Sequence, residues 1–392
     1  MYSLYILKRR IEDVFIFPFI LMGRFISLLK PLEKQYKIYY FFPFYHIGGA
    51  EKVHLQIAEY TGGSDTIIFF TRRSHNEGYI HEFKTTGCTI KDISFYTDNK
   101  WLYFLNLIYR GIISGYVNNQ KTSSTIFNGQ CNFGYKISPW ITKKSKQIEL
   151  IHSFNTFSYI RIPFLPFINR TVMISKKRIN DHLYLYKKIK VPKEYDSKIQ
   201  FISNAIELPK SIVSKPLKPF TILYVGRGTS EKRPHIFTKV AEKLHFDQDI
   251  SFQMLGDVTE AISISDYPFI KFWGNVTDTA AIDSIYQNTH VLIIPSETEG
   301  FPMVMIEAMA NGLAIVATPV GDIPYHLKNG INGFLFNSIE DEPKIIDEAV
   351  SYIKELAINE KLFSEISNYN VLYASQHFDI KDFAISYQKL LR

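Results

Sequence analysis

Two carboxylates and two cations make the clearest chemical pattern in the chain. Glu299 and Glu307 stand eight positions apart in Pro295-Ser-Glu-Thr-Glu-Gly-Phe-Pro-Met-Val-Met-Ile-Glu-Ala-Met-Ala-Asn-Gly312. Glu307 falls among Met303, Val304, Met305, Ile306, Ala308 and Met309, and burying a carboxylate in such a run is costly without a partner. Arg227 and Lys232 are five apart in Gly226-Arg-Gly-Thr-Ser-Glu-Lys232. Across one turn both can reach a single phosphate, arginine through its planar fork and lysine as a point charge. Adjacent glycines, Gly48 and Gly49, precede Ala50-Glu51; they let the backbone approach a ligand, and free amides at a helix start favour an anion. His152 ends the apolar run Ile148-Glu-Leu-Ile-His152. These residue types suit an anionic, phosphate-bearing ligand.

The elements around them read as alternating strands and helices. His290–Ile294 is a short apolar run that Pro295 and Ser296 stop. Gly300 and Pro302 make a tight loop, Met303–Ala310 a helix ending at Gly312, and Leu313–Thr318 the next strand. In the first half, residues 36–44 read as a strand and Ala50–Tyr60 as a helix, with Gly48 and Gly49 at the turn between them. Thr66–Phe70, Cys88–Ile93, Ser124–Phe127 and Ile148–Phe154 are further strands, and Trp101–Val117 is a helix. His152 falls at the C-terminal end of its strand, where ligands of open α/β sheets gather. The second half opens with the strand at Phe220 and a helix near Pro234. It continues through Ile250–Leu255, the stretch Phe269–Asp278, a helix over Ala280–Gln287, a strand over Asn332–Phe336 and two helices, Glu342–Leu356 and Glu360–Ser375. Lys210 to Pro219, with Ser211, Ser214, Pro216 and Pro219, reads as a linker. A chain of 392 residues suits two domains better than one core.

In this order the stretches resemble retaining glycosyltransferases of the GT-B fold, family 4 (glycosyl transferases group 1). Glu299-Gly-Phe-Pro followed by Glu307-Ala-Met-Ala is similar to that family's Glu-x7-Glu signature, Gly226-Arg…Glu-Lys232 to its diphosphate-holding motif, and Gly48-Gly-Ala-Glu51 to its first glycine loop. The resemblance is specific in the second half and loose in the first. Ser203-Asn-Ala-Ile206 has Ala205 where glycine is usual, so Asn204 is carried as a minor candidate, and Asp322 and Tyr325 depart from the family pattern. The resemblance implies two Rossmann-like domains facing a cleft: an acceptor domain over 36–210, a donor domain over 216–375, and a C-terminal helix, 376–392, crossing back to the N-terminal domain. It implies sugar transfer from a nucleotide-diphosphate sugar to an acceptor hydroxyl with retained anomeric configuration. Arg227, Lys232 and the amides of Gly48 and Gly49 would stabilise the leaving diphosphate. Glu307 would accept from the ribose hydroxyls. Glu299 with Gly300, Phe301 and Pro302 would hold the sugar, and His152 would orient it. Gly274, Asn275 and Val276 would read the base through backbone groups. No metal and no cofactor are expected, and the one Asp-x-Asp, Asp247-Gln-Asp249, precedes its strand at the end away from the ligand. A front-face mechanism and a double displacement through Glu299 both remain open. The alternatives are a nucleotide-sugar epimerase, a phosphorylase, or a non-catalytic binding module on the same fold.

Composition bounds the partners. Residues 1–210 carry 30 Lys/Arg against 15 Asp/Glu, and residues 211–392 carry 15 against 23. A basic first half points to an anionic membrane surface or a phosphorylated substrate. No helix-turn-helix, finger or RNA-recognition pattern supports nucleic acid. The acceptor expected from the family and this surface is a lipid-linked or saccharide intermediate of envelope polysaccharide assembly. Two cysteines, Cys88 and Cys131, without metal-ligand spacing suit a reduced cytoplasmic protein, here peripheral at the inner face of the cell membrane. The segment 1–35 contains Lys8-Arg-Arg10, then Val14-Phe-Ile-Phe-Pro-Phe-Ile-Leu-Met-Gly23. The run is short for a bilayer span, and Glu12 and Asp13 argue against a secretory signal. It reads either as an in-plane interfacial helix or as a helix packed on its own domain. Residues 157–168, with Lys176, Lys177, Arg178, Lys187, Lys188 and Lys190 beyond, read either as a lipid-touching surface or as a packed loop beside a solvated basic helix.

Overall fold

Strands written as unbroken apolar runs must be covered on both faces, which is the condition of a parallel sheet flanked by helices. The computed structural model describes residues 1–211 and 215–392 and contains two such sheets. The first has β1 (Ile38–Phe42), β2 (Thr66–Phe70), β3 (Thr89–Asp92), β4 (Thr125–Asn128), β5 (Lys146–Ile151), β6 (Arg170–Met173) and β7 (Ile199–Phe201), in the order β3-β2-β1-β4-β5-β6-β7. The second has β8 (Phe220–Val225), β9 (Ile250–Leu255), β10 (Ile270–Gly274), β11 (Val291–Ile294), β12 (Ala314–Ala317) and β13 (Gly333–Leu335), in the order β10-β9-β8-β11-β12-β13. Neighbouring strands run parallel throughout both sheets. Every residue of β1, β2, β11 and β12 is buried.

The chain divides into two compact units, Met1–Ile202 with Phe383–Arg392, and Ser203–Asp382. Ser203–Pro209 belongs with the second because Ile206 bridges the backbone at Phe378 and Ile380, with N···O distances of 2.9 and 3.0 Å. The last residues belong with the first: Tyr387 is fully buried, 6.1 Å from the Phe127 ring, and Lys146 donates to the Leu390 carbonyl at 2.6 Å. The expected linker, Lys210 to Pro219, includes Ser214, which lies outside the described residues.

Both sheets reverse strand order once, between β1 and β4 and between β8 and β11. Ligands of doubly wound sheets sit outside the carboxyl ends of the strands at such a point. Gly48-Gly49 follows β1, Gly129-Gln130 follows β4, Gly226-Arg227 follows β8, and Pro295–Gly300 follows β11.

The N-terminal segment is one helix, Tyr2–Leu29, packed along the helix Tyr103–Asn118. The contact is made by small residues. A Cβ on Gly23 would lie 2.1 Å from the Ile108 carbonyl oxygen, and one on Gly115 would lie 2.1 Å from Ser27 Oγ. Leu4, Leu7, Ile11, Phe15, Met22 and Phe25 are left half exposed or more. The helix is thus packed on its own unit through one stripe and apolar toward solvent on another. Among the described residues no helix is long and apolar enough to cross a membrane. The run 157–168 does not form the lipid-facing surface considered for it. It folds into the short helix Thr156–Ile160 and a 3-10 turn, Ile162–Phe167, with Ile162, Phe164, Leu165 and Ile168 buried. Pro163 fits because the first turn needs no amide donor. The basic residues beyond it lie on the helix Lys176–Ile189 and at its end.

Candidate functional site

In the second unit, the loops after β8 and β11 meet. The Lys232 ammonium lies 2.6 Å from Glu299 Oε1, and Ser296 donates to the same oxygen at 2.7 Å. Side-chain exposure is 24% for Lys232 and 7% for Glu299, so the pair sits at a mouth rather than in the core. Three features hold the loops. Arg233, left-handed at φ 47°, donates to the Pro295 carbonyl at 2.7 Å and to the Ile339 carbonyl at 2.6 Å. Thr318 donates to the Ser296 carbonyl at 2.5 Å. Gly321, at φ +59°, passes so close that a Cβ there would lie 2.5 Å from the carbonyl oxygens of Glu299 and Gly300; only glycine allows both the conformation and the approach.

Arg227 is not part of this pair. It is 71% exposed and bridges Glu231 at 3.3 Å on its own turn, while its carbonyl accepts from Tyr224 at 3.0 Å. Phe301 is buried against His326 and Phe378, with ring centroids 5.0 and 5.6 Å away. Pro302 starts the helix Met303–Ala310. Glu307, half-buried on that helix, accepts from the Tyr286 hydroxyl at 3.0 Å. Burial and the Glu307 carboxylate both push the Tyr286 phenol well up, so it stays a donor. Gly274 ends the edge strand β10 at φ +64° in open space, and Asn275 and Val276 follow it near the surface. Asn204 is buried with Oδ1 unpaired. Asp249 pairs with Lys218 at the start of β9, at the sheet's other end.

In the first unit, Gly48 is the extended N-cap of the helix Gly49–Thr61. Glu51 folds back so far that a Cβ on Gly48 would lie 2.3 Å from its Oε2, placing a carboxylate at the positive helix end. His152 follows β5, its amide donating to Gln130 Oε1 at 2.9 Å. Its Nε2 meets His54 Nε2 at 2.9 Å. The two rings, with Glu51, Arg72, Gln130 and Asn155, line a cavity of about 160 Å³. Burial lowers His152 to about 4, and burial and His152 hold His54 well below the usual range. A larger cavity, about 680 Å³, lies between Lys146, Arg170 and Lys389 at the amino ends of β5 and β6, the opposite end of the first sheet from Gly48, Gly49 and His152.

Ser296, Arg233, Tyr286 and His54 were missed in the sequence. Ser296 carried a signal, three residues before Glu299 on the same loop. The other three act across the fold and leave no local pattern.

The two parallel sheets, with these loops at their switch points, are the GT-B architecture. The solved structure of Alr3699/HepE from Anabaena, in complex with UDP and glucose, superposes with a TM-score of 0.71 at 15% identity, covering 91% of this chain and 99% of that one. A glycosyltransferase from Rickettsia africae superposes at 0.66 and 17% identity, covering 92% and 99%. In sequence, residues 219–355 match the family model for Glycosyl transferases group 1. A D-inositol 3-phosphate glycosyltransferase from Paenarthrobacter aurescens is 30% identical over 128 residues, 30% of this chain and 31% of that protein. The match spans about a third of that curated relative's length.

Proposed function

We propose that the protein is a glycosyltransferase that takes a sugar from a nucleotide-diphosphate donor. The observation that carries this reading is the Lys232–Glu299 pair, with Ser296, at the carboxyl ends of β8 and β11. It sets a cation beside a carboxylate at a switch-point mouth, one for a diphosphate and one for sugar hydroxyls. Arg227, exposed and paired with Glu231 on its own turn, swings onto a phosphate as a second cation. Two such cations stabilise the departing diphosphate without a metal or a cofactor. Glu307, fixed by Tyr286, takes the ribose hydroxyls, and the Gly274-Asn275-Val276 backbone takes the base. In the first unit, the Gly48-Gly49 turn and His152 offer hydrogen bonds to phosphate or sugar oxygens. Transfer retains the anomeric configuration by the front-face route, in which the departing phosphate takes the acceptor's proton and Glu299 stays paired with Lys232.

The acceptor is a lipid-linked or saccharide intermediate, met at a membrane surface. The exposed apolar stripe of the helix Tyr2–Leu29 and the excess of cations in residues 1–210 favour peripheral binding to anionic lipid. Binding and slow hydrolysis of a panel of nucleotide sugars, without metal, tests the reading. UDP-glucose comes first because the Anabaena structures hold UDP and UDP-glucose. One donor bound and hydrolysed by the wild type, with affinity lost in Arg227→Ala, supports it. No binding of any uridine, guanosine, adenosine or thymidine diphosphate sugar would overturn it in favour of a binding module.

A further inference from the structure

The histidine pair in the first unit contains more than a ligand contact. His54 and His152 face each other Nε2 to Nε2 at 2.9 Å. Two neutral imidazoles share such a contact only if one nitrogen carries the proton and the other accepts it. The surroundings decide which. His54 is fully buried, stacked on Phe42 with centroids 4.3 Å apart and rings 11° from parallel. The Gly129 backbone closes on it so tightly that a Cβ there would lie 2.5 Å from His54 Nε2. The ring therefore cannot turn to find another partner. Its Nδ1 is buried and has no hydrogen-bond partner. An orphaned buried N–H is rarer and more costly than an under-used acceptor, so the His54 proton belongs on Nε2. His54 then donates and His152 Nε2 accepts. His152, half-buried and lining the cavity, must carry its own proton on Nδ1.

We propose that His54 is a positioning residue that fixes the tautomer of His152, so that His152 offers an Nδ1–H donor, and not an acceptor, to an oxygen in the cavity. A neutral imidazole held in this way hydrogen-bonds a phosphate or hydroxyl oxygen without bringing a charge, and its direction is set before the ligand arrives. The use of this donor rests on the transferase reading; the tautomer does not.

The test is imidazole ¹⁵N NMR on the full chain labelled at histidine, at pH 7. The His54 and His152 signals are assigned from His54→Gln and His152→Gln. The expected spectrum has His152 protonated at Nδ1 and bare at Nε2, with His54 protonated at Nε2. The reverse pattern, or a charged His152, overturns the proposal whatever the enzyme does. The second readout is UDP-glucose hydrolysis and UDP affinity in His54→Leu and His54→Gln. Loss of the donor in His54→Leu should lower turnover about tenfold, the worth of one hydrogen bond, with UDP affinity unchanged. His54→Gln keeps an N–H and should recover most of the rate. Equal loss in both variants would make His54 a packing residue only. If wild type hydrolyses no nucleotide sugar, the functional reading fails while the tautomer is still decided by the spectrum.

Discussion

Removing the Lys232 ammonium should have two separable effects, one on stability and one on binding. The Lys232–Glu299 contact is 2.6 Å long, between side chains 24% and 7% exposed. Exposed pairs are worth about 0–1 kcal/mol, and breaking a fully buried pair costs about 3–5 kcal/mol. This pair lies between those limits, so Lys232→Met should destabilise the second unit by about 2 kcal/mol. For a unit of this size that lowers its melting temperature by roughly 4–8 °C. Adding Glu299→Gln removes the carboxylate charge that Lys232 neutralises, and Ser296, which donates to Oε1 at 2.7 Å, keeps an acceptor. The double variant should therefore melt near wild type. Binding should not follow. If Lys232 grips a diphosphate, both variants lose a charge-assisted hydrogen bond of about 1.5–3 kcal/mol, roughly a ten- to hundredfold weaker UDP dissociation constant. Thermal unfolding and titration calorimetry with UDP measure the two quantities on the same samples. Recovery of UDP affinity together with stability in the double variant would show that Lys232 serves only to neutralise Glu299, and the phosphate-clamp argument would be refuted.

Gly321→Ala should cost about 1–2 kcal/mol for its left-handed backbone and more for the 2.5 Å approach to Glu299 and Gly300; denaturant midpoints should fall and donor hydrolysis with them, whereas an unchanged midpoint would mean the loop is not held there. Acid should destabilise the protein before its carboxylates titrate. His152, His182 and His290 are each lowered to about 4, chiefly by burial. The unfolded chain binds these protons below about pH 6.5 and the folded chain only near pH 4, so each histidine removes about 1.4 kcal/mol per pH unit across that window. A flat stability profile from pH 6.5 to 4.5 would contradict their burial as neutral rings. Phe15→Glu with Phe25→Glu, both on the exposed stripe, should abolish sedimentation with phosphatidylserine vesicles while leaving UDP affinity unchanged. Unaltered sedimentation would move lipid contact to another surface.

The parts of the site that were legible in the sequence are those whose chemistry is local. Gly48-Gly49 and Gly226-Arg227 stand at turns that any strand-to-helix change would mark, and Glu307 stood out because its neighbours are apolar. The partners were not legible. Tyr286 reaches Glu307 from a helix 21 residues earlier, and Lys232 reaches Glu299 across 67 residues. The second contact exists because β8 and β11 are neighbours in the sheet, and the first joins the helices before and after β11; neither leaves a trace in the local segments. His54 was hidden for a different reason. It sits in a helix that also buries Val53, Leu55, Ile57 and Ala58, where a histidine reads as one more core residue until β5 delivers a second ring to its edge.

The N-terminal helix shows the same limit in packing. Apolar residues at three- and four-residue spacing ordinarily mark the face that turns inward. Here Leu4, Leu7, Ile11, Phe15, Met22 and Phe25 turn outward. The inward stripe is Ile20, Gly23 and Ser27, with Arg9 a few turns before, because a close helix crossing needs small side chains more than large ones. A segment that is apolar on one face and small on the other can satisfy a protein neighbour and a lipid surface together. Of the two sequence readings, packing on its own unit is the one the contacts display, and the positions of glycine and serine, rather than the hydrophobic pattern, decide which face meets the protein.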